Sequence, residues 1–186
     1  MVYPIVAYGN TILKKRAAEI DKNYPGLRQL ISDMYDTMHF SQGVGLAAPQ
    51  INIPIRLFVT DGAPFKDEEP GIENFKKIFI NPVLLNENGN DWMFNEGCLS
   101  IPGIREDVER KPALRIKYFD ENFDDRNEIF SGIAARIIQH EYDHIEGVLF
   151  VDRLSAFKRR LLKGKLDDIT KGKVDVDYKM KFALKK

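Results

Sequence analysis

The chain has 186 residues, 44% of them apolar and 30% charged, a composition that suits one globular domain over 1–186 with a full-sized core. Its 28 basic residues balance 28 acidic ones, which excludes a global field drawing it to nucleic acid or membrane. Cys98 is the single cysteine, so an intramolecular disulfide is excluded too. No apolar run approaches the roughly 18 residues that span a bilayer, so no membrane partner is expected. The opening MVYPIVAYGN lacks a basic n-region, an apolar core and a cleavage site, so the expectation is no signal peptide and a cytoplasmic location.

Taken in chain order, Pro25 opens the first helical pattern. Leu27, Leu30, Ile31, Met34 and Met38 form one amphipathic stripe that runs out near Ser41 to Gly43. Three β-branched and aromatic runs follow, IRLFVT (55–60), KIFINPVLL (77–85) and ALRIKYFD (113–120), separated by turn-rich NENGND and DENFDDRN. The polar stretch between Asp61 and Lys77 reads as a long surface loop. From Ser131, a plausible N-cap, Ile133, Ala134, Ile137, Ile138, Glu141, His144 and Ile145 recur at helical spacing until Gly147 ends the element. A last helical stretch starts near Ser155 and passes into a basic tail.

Strands clustered between helices predict an α+β fold. Antiparallel sheets should wrap a central buried helix carrying residues 140–144, with one helix N-terminal and another C-terminal to them.

Residues 140–144 read HEYDH. On a helix, His140 and His144 stand one turn apart on the same face and can aim both imidazoles at one point, at bonding distance for zinc or iron. Glu141 is rotated by about 100° from His140, so it flanks the metal and can take a proton from its water. The competing reading is composition by accident, but two of only three histidines fall at the one spacing that chelates. His39, the third, is given no role.

Two imidazoles need a third protein ligand. In the extended protease pattern H-E-x-x-H-x-x-G-x-x-H the glycine is present as Gly147, but the last position is Phe150, and no glutamate follows Glu146. That weakens the metalloprotease reading. A closed structural metal module lacks a fourth ligand, since no CxxC pair or fourth histidine exists. Cys98, in NEGCLSIPG, offers a thiolate beside the flexible Gly97, with IPG reading as the following turn. A lone cysteine is usually a small buried hydrophobe; the two-histidine site reverses that preference. GVGLAAPQ (43–50) permits close backbone approach, and Gln50 adds an amide that both donates and accepts. Tight packing explains the small residues about as well.

GVGLAAPQ, EGCLS (96–100) and HEYDH, in this order, resemble the three signature blocks of bacterial-type peptide deformylases, with further likeness in IFINPVLL, RIKYFD and GVLFVDRL. The resemblance covers roughly 1–155. It implies a metal-dependent hydrolase that removes the formyl group from the N-terminal formylmethionine of nascent polypeptides and releases formate. It implies Cys98, His140 and His144 as metal ligands, Glu141 as proton shuttle, and Gln50 with the Leu99 N–H as oxyanion donors. It further implies one divalent ion per chain, Fe2+ in the cell, with Zn2+, Ni2+ or Co2+ able to replace it. The loop over 61–77 is longer than in compact members, and the last thirty or so residues match nothing diagnostic.

A methionine side chain needs an apolar pocket, and Ile137, one turn before His140, is on the ligand face; Ile133, two turns before, is better read as core. By resemblance Val44 and Gly45 contact the substrate backbone. Arg105 is within reach of the peptide chain, or else forms a surface salt bridge. From Lys158 to Lys186 there are eleven Lys or Arg and four Asp, a segment of +7. Leu154, Phe157, Leu161 and Leu162 fit one stripe of its helix. Ribosomal RNA is one partner for the basic face, and a solvated tail on a packing helix is the other reading. Nothing in the sequence calls for an oligomer, so a monomer is expected.

Overall fold

The computed structural model describes residues 1–183. Strand β1 (Ile5–Val6) leads to helix α1 (Leu27–Phe40), then β2 (Gly45–Ala47), β3 (Leu57–Asp61), β4 (Lys76–Asn88), β5 (Trp92–Cys98), β6 (Ile101–Arg110), β7 (Ala113–Phe119) and β8 (Asp125–Ser131). Helix α2 (Gly132–Ile145), helix α3 (Ala156–Thr170) and the short β9 (Met180–Lys181) complete the described chain. Strands β2, β3, β4, β7 and β8 form one antiparallel sheet in that order, β5 and β6 form a separate antiparallel hairpin, and β1 pairs with β9 in parallel.

The α+β expectation holds, with antiparallel sheets around α2. Along β7, Leu114, Ile116 and Tyr118 turn inward while Arg115 and Lys117 face out, the period of two that one buried face imposes. By contrast, every residue of β3 is buried. The reason is a helix on each side: Leu57 and Val59 meet Leu30, Ile31, Met34 and Met38 of α1, whereas Phe58 meets Ile133, Ile137 and Ile138 of α2. The other flank of α2 faces the β5–β6 hairpin, where Arg136 donates to the backbone carbonyls of Trp92 and Val108. The metal-motif helix is therefore buried between sheet and hairpin.

Four local expectations change. Leu99 and Ser100 make the turn between β5 and β6, and IPG instead opens β6. The stretch DENFDDRN is mostly turn, but its last residues, from Asp125, already belong to β8. Only Leu154 and Leu162 of the expected C-terminal stripe are buried; Phe157 and Leu161 are 71% and 67% exposed, and Leu166 and Ile169 pack inward in their place. Leu154 precedes the helix, which shifts the inward face by a residue.

The fourth change concerns the start of α2. Ser131 makes no side-chain cap. Glu69, from the long loop, accepts a hydrogen bond from Ile133 N–H at 2.9 Å. Gly132 has φ +61°, and a Cβ there would lie 2.4 Å from Glu69 Oε2, so glycine is required for the carboxylate to reach the helix end. The loop is folded rather than free: two 3-10 turns bury Ile72 and Phe75, and Gly62 N–H donates to Phe75 C=O at 2.7 Å. Replacing Glu69 with Ala should cost about 0.5–2 kcal/mol of stability. Urea unfolding would read it, and an unshifted midpoint would mean that Glu69 is not the cap.

Candidate metal centre and substrate cleft

Cys98 ends β5 just before the Leu99–Ser100 turn, and His140 and His144 stand on consecutive turns of α2. The hairpin packs against the helix, so a residue 46 positions away in sequence places its Sγ 3.2 Å from His144 Nε2. One donor atom from each of Cys98, His140 and His144 falls within 4.8 Å of the others. Donors bonded to one zinc- or iron-sized ion at about 2.0–2.3 Å stand roughly 3.3–3.8 Å apart in tetrahedral geometry, so small side-chain adjustments would close these three on an ion. A borderline-soft set of one sulfur and two imidazoles suits such an ion.

The site's electrostatics follow from burial and proximity. Burial opposes ionisation of the Cys98 thiol, but the adjacent His144 and His140 bring it down to about 5. Burial pushes the Glu141 carboxyl up to about 7 against the pull of both histidines. Among the described residues Glu141 Oε2 and His144 Nδ1 are buried without a hydrogen-bond partner, whereas His140 Nδ1 has one, Glu96 Oε2 at 2.9 Å. That contact fixes the ring and turns Nε2 toward Cys98.

Glu96 belongs to a buried ionic network. Arg110 donates to both its oxygens, at 2.7 and 2.9 Å, and Arg136 to Oε1 at 3.1 Å. Arg110 also reaches Asp143 at 2.7 Å, which Arg153 holds from the far side with two bonds of 2.6 Å. Although burial disfavours its charge, hydrogen bonds from Arg110 and His140 hold the Glu96 carboxyl well below the usual carboxylate range. Burial of these charges is tolerable because each is paired. Sequence reading assigned none of them a role. The available signal was Arg136 inside the aliphatic run IAARIIQ, an arginine that needs a buried acid.

A cleft of about 650 Å³ opens beside the donor atoms, and its walls include Val44, Gly45, Gln50, Cys98, Leu99, Arg105, Ile137, His140 and Glu141. His144 is 1% exposed and lies behind them. Ile133 packs in the core instead, away from the cleft. Among the described residues Arg105 has no salt-bridge partner: its guanidinium donates to Asn95 Oδ1 and Asn95 C=O, both at 2.8 Å. His39 lies outside the cleft wall, 2.9 Å from Asp61. Sequence reading also missed Phe65, from the long loop, and Phe94, which share the wall with ring centroids 6.0 Å apart.

Gln50 is held with its amide oriented. Oε1 accepts from Ala47 N–H at 2.8 Å, and Nε2 donates toward Ser100 Oγ at 3.3 Å and Cys98 Sγ at 3.6 Å. One donated contact is long for a hydroxyl acceptor and the other goes to sulfur, a weak acceptor, which leaves the N–H groups ready for a stronger one in the cleft.

Gly45 touches the same centre through its missing side chain. A Cβ there would lie 2.4 Å from Glu141 Oε1 and 2.7 Å from Glu141 Cδ and Cγ. Gly45→Ala should displace the Glu141 carboxylate and cost roughly 100-fold in kcat, the scale of a 1 Å misplacement. Steady-state kinetics with metal content checked would show it; activity within about threefold of wild type would mean the carboxylate has slack.

With this geometry in place, comparison with known proteins is decisive. Residues 2–160 match the family model described as polypeptide deformylase. The chain belongs to the polypeptide deformylase family. A peptide deformylase of Christiangramia forsetii is 54% identical over 98% of this chain and 96% of its own length. The solved peptide deformylase of Legionella pneumophila shares 35% identity at a TM-score of 0.80, covering 93% of this chain and 98% of its own. A class I type b peptide deformylase of Acinetobacter baumannii, bound to Met-Ala-Ser, shares 35% identity at a TM-score of 0.75. It covers 83% of this chain and 99% of its own. Deformylases of this family are metal-dependent hydrolases that remove the formyl group from N-terminal formylmethionine, and this chain is one. Among the described residues, no helix is long and apolar enough to cross a membrane.

Proposed function

We propose that this deformylase works through one divalent ion held by Cys98, His140 and His144, with Glu141 as the proton carrier. The observation that carries the assignment is the convergence of three donor atoms within 4.8 Å beside a buried carboxyl raised to about 7. When bound, the ion lowers the pKa of a water molecule and polarises the formyl carbonyl. Glu141 accepts the proton of the attacking water and delivers it to the methionine nitrogen as the C–N bond breaks. Formate and the free amine leave. The Gln50 amide and the Leu99 N–H donate to the formyl oxygen as charge gathers there, each contributing about 2.7–4 kcal/mol to the lowered barrier. Val44 and Gly45 contact the substrate backbone, Ile137 lines the methionine pocket, and Arg105 lies along the peptide beyond it.

The proposal extends to the ion, the place and the partners. Fe2+ is the ion in the cell, with Zn2+, Ni2+ or Co2+ able to replace it; a thiolate beside two imidazoles binds all four and makes the ferrous form oxidation-sensitive. The chain acts as a cytoplasmic monomer and a single domain, on formylmethionyl nascent peptides. Formate release from a formyl-Met peptide, with elemental analysis of anaerobically purified protein, tests the chemistry and the ion together. No formate from metal-loaded protein would reject the reading.

The basic end of the chain adds a ribosome contact. Arg159, Arg160 and Lys163 are exposed on α3, basic side chains that phosphate-rich RNA complements. Deleting the helix would also strip Leu162, Leu166 and Ile169 from the core, so charge reversal is the cleaner test. Arg159→Glu, Arg160→Glu and Lys163→Glu together should weaken ribosome association and flatten its salt dependence. Unchanged binding across a salt series would reject the contact.

A further inference from the structure

The segment after α3 lies beyond residue 160, where the family match ends, yet it reaches the reaction centre. Strand β9 pairs in parallel with β1, and Ile5 and Ala7 N–H donate to Lys179 and Lys181 C=O at 2.8 and 2.9 Å. That splint brings Val176, Asp177 and Tyr178 into the wall of the same cleft as Cys98 and Glu141. The Tyr178 hydroxyl donates to Leu99 C=O at 2.8 Å. One residue further, Tyr8 N–H, which follows β1, donates to Ser100 C=O at 2.8 Å. The two-residue turn after Cys98 is thus pinned at adjacent carbonyls, one by each end of the chain.

We propose that Tyr178 is a positioning residue for deformylation, holding the Leu99 turn so that its N–H points at the formyl oxygen. This rests on the reading of Leu99 N–H as a donor given above. The turn has the conformational latitude that makes a clamp necessary. It lies just beyond the point where the β5–β6 register shifts, between Gly97 and Cys98, so the single Cys98–Ile101 pair joins it to the ladder. Rotation about the Leu99 backbone would swing the N–H while leaving the Cys98 sulfur in place, and productive alignment survives only about 10–20° of such error. The Leu99 N–H and C=O lie on the two peptide planes that meet at the Leu99 Cα, so holding the carbonyl narrows the range through which the N–H can turn. The anchoring ring is half-buried against the cluster containing Leu46, Ile5 and Leu99, so the hydroxyl is delivered from a fixed platform. The Tyr178 hydroxyl is bonded to Leu99 C=O, so its effect passes through Leu99.

Tyr178→Phe keeps the ring and removes only the hydroxyl. With formyl-Met-Ala-Ser as substrate, kcat should fall roughly three- to tenfold, the effect of one neutral hydrogen bond. KM should stay within twofold of wild type and metal content should be unchanged, while the melting midpoint falls by no more than the few degrees that one hydrogen bond supports. A purely structural role would instead leave kcat per folded, metal-loaded protein at the wild-type value. Wild-type kcat in the variant, or a loss that vanishes once rates are expressed per bound metal, overturns the proposal. Wild-type protein assayed in parallel separates this from failure of the functional reading, which would show as no formate from either form.

Discussion

Glu141→Ala should lower kcat by about 10²–10⁴-fold, the range of general acid–base catalysis, while the protein retains its full complement of metal. The separation follows from the geometry. The three donor atoms belong to Cys98, His140 and His144, and the substitution leaves all three in place. What it removes is a carboxyl that is 4% exposed, faces the cleft, and is pushed by burial up to about 7. A group near that value can take a proton from water and give it up to an amine at neutral pH. Glu96, the nearest alternative, is engaged with Arg110, Arg136 and His140 and held ionised. Formate release and elemental analysis on the same preparation decide it. Turnover within tenfold of wild type would remove Glu141 from the mechanism; loss of metal would make it a ligand.

The second large effect is expected at Cys98→Ser. Serine preserves the volume but not the anion, because a hydroxyl remains protonated where the thiol, beside His144 and His140, ionises near 5. Two imidazoles alone then face the ion, so metal should be lost on desalting and formate release with it. Refilling with excess metal should restore only a small fraction of the rate. The serine variant also distinguishes this chain from a two-histidine protease, in which the cysteine would be a bystander. Full metal occupancy after desalting would reject Cys98 as the third ligand.

Much of this centre was legible in the chain because its parts are local. A helix places residues four apart on one face whatever surrounds it, so HEYDH revealed its geometry before any fold was known. The same periodicity located α1, whose expected stripe from Leu27 to Met38 is the buried face. Signals that depend on partners were less visible. The β5–β6 hairpin was not anticipated as a pair, because Trp92 to Arg110 mixes charged and apolar residues. Two of its charges, Glu96 and Arg110, are buried against α2, whereas Arg105, Asp107 and Glu109 are exposed. Ser131 looked like the cap of α2 because serine caps helices locally, but Glu69, from a loop 64 residues away, takes that place. Phe157 and Leu161 fitted a stripe on spacing alone, yet only the neighbours of α3 determine which of its faces is covered.

By itself, then, the order of residues determined which groups carry the chemistry and how His140, Glu141 and His144 stand relative to one another, since intrahelical geometry needs no partner. The tertiary structure decided the rest. Packing of the hairpin against α2 set the 3.2 Å approach of Cys98 to His144. The sheet brought Gly45 against Glu141, and the paired chain ends brought Tyr178 onto Leu99. Distances of this kind are products of how separate elements pack, and no spacing within a single element encodes them.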